Sequence, residues 1–344
     1  MQRLVEIGWV REVARATQVR PRVIATEHQA TPEPGSARIP TAAWRQAQEA
    51  VRTGPVLVQV ARPGNAPLLA CDRCREPARC SACGGALAVP RDGGAARCVL
   101  CGTSASNWRC PVCEGTRLRA VTIGASRTAD ELGRAFPGTR VILADGERPV
   151  LRVGAEPALV VATRGAEPLA DGGYRAVLLL DGERMLLRES LRVAEDCLRW
   201  WSNASALAAP GAPVFLVGVA GALATALTTW RQADWARSEL GARRALRFPP
   251  AVRVASVTAQ PANVAHAVDA VRAIDGVDVL GPAPADDGLE RAIVRFDYGA
   301  GTAVARELRA EMIRVATERR RPVAGRPARR PQVLRVRLDD PEVP

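Results

Sequence analysis

The sequence predicts a mixed α/β protein. A parallel-sheet domain is interrupted after its first strand by a cysteine-rich metal-binding module and is followed by a small α+β domain. Three observations carry this prediction. Short Val/Leu runs alternate with helical segments from residue 55 onward, as in strands buried on both faces. Eight of the nine cysteines lie within 43 residues as four Cys-x-x-Cys pairs. The last third reads strand–helix–strand–strand–helix–strand.

The elements follow in order. Met1–Thr17 reads as helical, Glu27–Pro40 as a loop rich in Pro and Glu, and Thr41–Arg52 as a helix with Thr41 as N-cap. Residues 1–54 are too short and too polar to build a core of their own. Buried strands are expected at Val56–Val60, Leu118–Ile123, Arg140–Leu143, Ala158–Ala162, Ala176–Leu180 and Val214–Val217. Thr128-Ala129-Asp130-Glu131 reads as a capping box opening a helix that runs to Phe136 and closes at Pro137-Gly138. A long helix is expected over Leu191–Leu207. Between Trp200 and Trp230 there is no charge, but Pro210, Gly211 and Pro213 break the run. It therefore reads as a helix end, a turn, a strand and a second helix from Gly221, not as a membrane span.

The last third predicts strands at Val252–Val257, Val277–Leu280, Ala292–Phe296 and Val333–Leu338. Helices are predicted at Val264–Ile274 and Ala303–Thr317. Before the final strand, Arg319, Arg320, Arg321, Arg326, Arg329 and Arg330 are broken by Pro322 and Pro327, which predicts an exposed basic loop.

Composition narrows the function. All 48 basic residues are arginine, so the chain carries no Walker A lysine and no Schiff-base lysine. The formal charge of +12 favours acidic partners, nucleic acid above all. The first residues carry Arg3, Glu6, Arg11, Glu12 and Arg15 and no apolar secretory core, so a cytoplasmic protein is expected.

The cysteine pairs are Cys71/Cys74, Cys80/Cys83, Cys98/Cys101 and Cys110/Cys113. A two-residue spacer lets both sulfurs of a knuckle face one metal, and two knuckles complete a tetrahedral thiolate site for Zn²⁺. Four knuckles make two sites, each closed to water and so structural. Disulfides, an iron–sulfur centre and redox dithiols are the alternatives. The 14 residues between Cys83 and Cys98 favour Cys80, Cys83, Cys98 and Cys101 as one site, enclosed by Cys71, Cys74, Cys110 and Cys113 as the other. Counting alone does not fix this pairing. The arginine excess of the module is cancelled by the negative charge of two Zn(Cys)₄ centres, so Arg73, Arg75, Arg79 and Arg109 read in part as counter-charges.

The remaining chemistry-bearing residues read plainly. His28 and His266 are surface residues, Cys197 is a buried thiol, and one of Trp200 and Trp201 belongs in the core. Asp171, Asp181, Asp286 and Asp287 have no partner base at useful spacing. The basic loop is the candidate DNA contact, through Arg319, Arg320, Arg321, Arg329 and Arg330; its alternative is a solvated charge run.

Several segments together resemble the primosomal protein N′ (PriA) family of bacterial replication restart proteins. They are Arg62, Gly64, Ala66 and Pro67 before Cys71-x-x-Cys74; Pro111 and Gly115-Thr116-x-Leu118; Ala129–Pro137; Leu246-x-Phe248-Pro249-Pro250; Gly281-Pro282-Ala283-Pro284; and Asp340-Pro341. The resemblance covers about 290 residues. It implies that 55–70 and 118–237 are a RecA-like second helicase lobe, 71–117 a double zinc module with the nested pairing, and 238–344 a DNA-binding domain. Residues 1–54 would be the end of the first lobe and a linker. The implied role is recognition of stalled or branched forks and reloading of the replicative helicase, with primosome proteins and single-stranded-DNA-binding protein as partners.

The departures imply a degenerate, actinobacterial-type form. The family's lobe-two motif, similar to Gly-Thr-Gln-Met, is here Ala162-Thr163-Arg164-Gly165. Its Gln-x-x-Gly-Arg-x-Gly-Arg segment falls on Ser202–Ala209, which contains no arginine. The resemblance also implies that the chain starts inside or just after the first lobe, N-terminally short. The expectation is a DNA-binding adaptor with two zinc ions and no bound ATP. An ATP-dependent 3′→5′ helicase, and a structural zinc-ribbon module or remnant, are the alternatives.

Overall fold

The structure, a computed structural model, describes residues 2–11, 20–26, 39–61, 68–89, 94–98, 102–121, 125–186, 190–285, 288–317, 333–340 and 343. The chain divides into two compact units, Ala14–Trp235 and Met1–Val13 with Ala236–Pro344.

The chain opens with α1 (Gln2–Glu6), β1 (Arg22–Thr26), α2 (Thr41–Ala50) and β2 (Pro55–Val60). The cysteine-rich segment contributes β3 (Leu68–Cys71), β4 (Leu87–Ala88), β5 (Arg97–Cys98) and β6 (Leu118–Val121). Then come α3 (Ala125–Ala135), β7 (Arg140–Ala144), β8 (Arg152–Val153), β9 (Ala158–Thr163), β10 (Leu169–Ala170) and β11 (Ala176–Leu179). They are followed by α4 (Gly182–Leu186), α5 (Val193–Ser205), β12 (Pro213–Val217), α6 (Gly221–Thr228) and α7 (Gln232–Ala245).

In the larger unit, six strands form one parallel sheet in the order β1-β12-β11-β2-β9-β7. Its strands read as continuous apolar runs because both faces are covered. Val56, Val58 and Val60 of β2 point to one side, against Ala43 and Ala47 of α2 and Leu132 and Phe136 of α3. Leu57 points to the other side, where Cys197, Leu198, Trp201 and Ala204 of α5 form the apolar stripe of a helix. The segment that lacked a core of its own borrows this one: β1 pairs with β12 at the sheet edge and α2 lies on its face.

Three local expectations are corrected. Leu118–Val121 is not a strand of the parallel sheet; it pairs antiparallel with β3, since its register lies with the chain entering the cysteine module. Thr128 opens no helix, because α3 starts at Ala125 and Thr128 is buried in its interior. At α2 the N-cap is Pro40 with no side-chain capping bond, so Thr41 already belongs to the first turn. The N-terminal helix is helical as far as Glu6, where Gly8 turns the backbone at φ +76. The uncharged stretch beyond Trp200 forms the end of α5, a turn, β12 and α6. No helix among the described residues is long and apolar enough to cross a membrane.

Gly173 shows how tightly the unit is closed. Its φ is +77, and an added Cβ would stand 2.8 Å from the Ala209 backbone. Gly173→Ala is therefore expected to destabilise this unit by about 2–3 kcal/mol, from strain and steric displacement together. Thermal unfolding at matched concentration checks it; an unchanged midpoint would contradict this close approach.

The smaller unit continues with β13 (Arg253–Ala259), α8 (Pro261–Arg272), β14 (Val277–Pro284), β15 (Glu290–Phe296), α9 (Gly301–Thr317) and β16 (Arg335–Leu338). The sheet order is β14-β15-β13-β16 and every pair is antiparallel, a split βαβ arrangement. Ala255, Val257, Ala292, Val294 and Phe296 pack with Val264, Val268 and Val271 of α8 and Val304 and Leu308 of α9. On the opposite face of the sheet, the buried Ser256 and Asp340 form a polar cluster with the partly buried Arg291.

Candidate metal centre

The cysteine module is two nested antiparallel pairs. β3 pairs with β6 on the outside, and β4 pairs with β5 within. Cys71 is the last residue of β3, opposite Leu118 of β6, so the outer ladder brings the first knuckle to the last. The inner ladder sets Leu87 opposite Cys98 and carries the second knuckle to the third.

The four knuckles share one turn. In each, the first cysteine's N–H donates to the carbonyl five residues on, and its carbonyl accepts from the N–H four residues on. The pairs are Glu76 and Arg75 for Cys71, Gly85 and Gly84 for Cys80, Thr103 and Gly102 for Cys98, and Gly115 and Glu114 for Cys110. The fourth residue after that cysteine is left-handed every time: Arg75 at φ 69, Gly84 at 72, Gly102 at 71 and Glu114 at 58. Two knuckles use glycine, which fits that region freely, and two do not. Glu114→Gly is accordingly expected to leave the module intact or stabilise it by up to about 1 kcal/mol, read as slower metal loss to a chelator. Faster loss would contradict the shared turn.

This geometry brings Cys71, Cys74, Cys110 and Cys113 together, with ligand atoms all within 4.8 Å of one another. The Cys71–Cys113 and Cys74–Cys110 sulfurs are 3.5 and 3.4 Å apart. Those separations are far longer than a disulfide bond of about 2.05 Å. They are near the edge of a thiolate tetrahedron built on metal–sulfur bonds of about 2.3 Å. Cys80, Cys83 and Cys98 form a second cluster, with Cys83 and Cys98 sulfurs 3.4 Å apart and the Ala82 N–H donating to the Cys80 sulfur at 3.4 Å. Cys101 lies outside the described residues. In each knuckle the first cysteine is buried, while Cys74 and Cys113 are partly exposed and Cys83 is exposed.

The donor set suits a cation. The Cys74 backbone amide, outweighing burial, pulls the Cys71 thiol down to about 7. Cys74 is lowered by the Glu76 amide, but burial and the surrounding thiols push it up to about 12. Four sulfurs this close cannot all carry charge without a positive ion among them. Both clusters could hold a metal ion.

The arginines around the sulfurs divide. Arg73 donates to the Cys113 carbonyl, while Arg79 reaches Glu183 of α4 at 3.2 Å, an exposed pair tying the module to the sheet domain. The Arg79 carbonyl accepts from the indole N–H of Trp108, whose ring closes the module's small core.

The other singled-out residues are placed as follows. Cys197 and Trp201 are buried in the sheet domain's core, and Trp200 is half-buried beneath Arg164, whose guanidinium lies 4.3 Å from its ring centroid. Asp171 pairs with Arg152, Asp181 accepts from the Ala61 N–H, and His266 is exposed on α8. His28, Asp286, Asp287 and the arginines 319–321, 326, 329 and 330 lie outside the described residues. Two features escaped the sequence reading. One is the left-handed role of Arg75 and Glu114, signalled only by Gly84 and Gly102 at the same offset. The other is the Ser256–Arg291–Asp340 cluster, which has no local signal.

Residues 244–342 match the family of the primosomal protein N C-terminal domain. The chain is 40% identical over 330 residues to the probable replication restart protein PriA of Mycobacterium leprae, covering 92% of this chain and 50% of that protein. It is 39% identical over 360 residues to the proteins of the same name from Mycobacterium bovis and Mycobacterium tuberculosis, covering 98% of this chain and 55% of each. A cysteine-knuckle module inserted in a parallel-sheet domain, with this C-terminal domain behind it, defines a primosomal-type protein. The chain belongs to the replication restart protein PriA family. It spans about half the length of the curated relatives it matches.

Proposed function

We propose that the chain is a zinc-containing, DNA-binding replication restart protein that acts as an adaptor at stalled or branched forks, without helicase activity of its own. The observation that carries this reading is the nested four-thiol module in a chain of this family whose phosphoryl-transfer positions lack the required side chains. Cys71, Cys74, Cys110 and Cys113 would hold one zinc ion, and Cys80, Cys83, Cys98 and Cys101 the other. With every position filled by sulfur, no water is activated and the ions stiffen the fold.

On this reading 55–70 and 118–237 are a degenerate RecA-like lobe, 71–117 the zinc module and 238–344 the DNA-binding domain, with 1–54 the end of a first lobe and a linker. Ser202 and Ser205 spend their hydroxyls on the carbonyls of Leu198 and Trp201 inside α5. No residue of Ser202–Ala209 offers a cation to a transferring phosphoryl group. The partners would be branched or single-stranded DNA, primosome proteins and single-stranded-DNA-binding protein, met at the nucleoid in the cytoplasm.

Gel shift on a synthetic fork, with and without ATP, tests the reading alongside DNA-stimulated ATP hydrolysis. Fork binding indifferent to ATP, with no turnover, is expected. Turnover would favour a helicase; absence of fork binding would favour a structural module. Replacing Arg319, Arg320, Arg321, Arg329 and Arg330 with Ala is expected to weaken fork binding and flatten its salt dependence. Unchanged binding across salt would remove the loop from the interface.

A further inference from the structure

The two cysteine clusters are not equally shielded. In every knuckle the first cysteine closes the turn with its own N–H and carbonyl and sits in the module's core. The second cysteine stands further out, and how far differs between the sites. In the outer cluster Cys74 and Cys113 are only partly exposed. The Gly115 backbone packs over that cluster: an added Cβ would stand 3.2 Å from the Cys71 sulfur and 3.3 Å from the Cys113 sulfur. In the inner cluster Cys83 is exposed, as are Ser81, Ala82 and Gly84 around it. A Cβ added to Gly84 would meet nothing within 4 Å. The Cys83 sulfur nevertheless lies 3.4 Å from that of the buried Cys98.

Selective thiol oxidation needs a thiolate, access from water and a second sulfur within reach. The geometry supplies the last two at Cys83. A bound cation supplies the first, because it holds its cysteine ligands deprotonated.

We propose that Cys83 is a site of reversible oxidation by hydrogen peroxide, resolved by Cys98, that opens the inner metal site and leaves the outer one closed. This rests on the reading of both clusters as zinc sites. The Cys83 thiolate attacks one peroxide oxygen, the O–O bond breaks, hydroxide leaves and Cys83 becomes a sulfenic acid. The Cys98 thiolate then attacks the Cys83 sulfur, the S–O bond breaks and a second hydroxide leaves. The two sulfurs have given up two electrons, and the two hydroxides take up protons and become water. The disulfide that remains removes two of the four thiolates from the inner site, which can then no longer retain its ion. The inner ladder has only two residue pairs, Leu87 with Cys98 and Ala88 with Arg97. The outer ladder has four, from Leu68 with Val121 to Cys71 with Leu118. The inner half of the module therefore loosens while its two ends stay clasped.

The test is stepwise oxidation of the full zinc-loaded chain with hydrogen peroxide. Zinc release is followed with a colorimetric chelator, and the remaining thiols are alkylated for peptide mass spectrometry. A first phase is expected to release about one zinc ion per chain, with Cys83–Cys98 as the first disulfide and Cys71, Cys74, Cys110 and Cys113 recovered unoxidised. Dithiothreitol with added Zn²⁺ is expected to restore that ion; an ion that does not return overturns the reversibility. Loss of both ions in one phase, or a first disulfide among the outer four cysteines, overturns the proposal and leaves two zinc sites standing. A link from Cys83 to any cysteine but Cys98 overturns the role of Cys98. A purified chain that holds no zinc removes the zinc reading, and this site with it.

Discussion

Stripping metal from the chain with a strong chelator is expected to unfold residues 68–121 and leave the parallel sheet and the C-terminal domain folded. The reason lies in what the module is made of. Among the described residues its buried core is eight side chains, four cysteines together with Leu69, Ala78, Leu87 and Trp108. That is too little apolar surface to offset the conformational entropy of ordering so many residues. Without an ion, the four outer thiols also crowd one another, with Cys71 inclined to ionise and Cys74 held protonated. Apparent binding free energies of structural zinc in small peptides run to roughly 10–16 kcal/mol, which here would be folding energy. Trp108 reports the event, since its buried ring and its bond to the Arg79 carbonyl are lost together. Amide hydrogen exchange should show protection vanishing from the module alone. Metal analysis should give about two zinc ions per chain, falling to about one in Cys71→Ser. A module that keeps its protection after chelation would refute a metal-held core.

Asp340→Ala is expected to destabilise the C-terminal domain by about 3 kcal/mol, at the low end for breaking a buried ion pair. The Asp340 side chain is fully buried, accepts from Arg291 at 2.9 Å and from the Ser256 hydroxyl, and has Arg337 at 4.0 Å. Removing the carboxylate leaves the Ser256 hydroxyl buried without its acceptor and Arg291 without its counter-charge. The effect stays at the low end because a third of the Arg291 side chain remains in water. Asp340→Asn, which keeps an acceptor but no charge, should cost less. Denaturant unfolding followed by exchange in β13 and β16 measures both; a loss under about 1 kcal/mol for the alanine variant would show that the C-terminal turn is not held by this cluster.

Where a pattern was repeated or strongly periodic, the sequence was a good guide. The strands of the parallel sheet stood out because Ala158–Ala162 is apolar at every position and Val56–Val60 at all but the buried Gln59, a consequence of burial on both faces. Helix starts were read less well. Thr128 and Thr41 look like caps, yet in α3 and α2 packing extends or replaces the first turn, and a single hydroxyl is too weak a signal to mark it. Leu118–Val121 shows the limit of periodicity: an apolar run announces a strand without saying which sheet receives it.

By itself the sequence determined the local chemistry: four two-residue thiol knuckles, an all-arginine complement of cations and the apolar runs of the longer buried strands. These are properties of neighbouring residues, so spacing and composition suffice to state them. Only the tertiary structure decided which knuckles meet, that β1 and α2 join the parallel sheet, and that Asp340 is buried against Arg291. Each of these depends on contacts between residues tens to hundreds of positions apart. Such contacts are set by how nested ladders and packed faces close in space, and no local pattern encodes them.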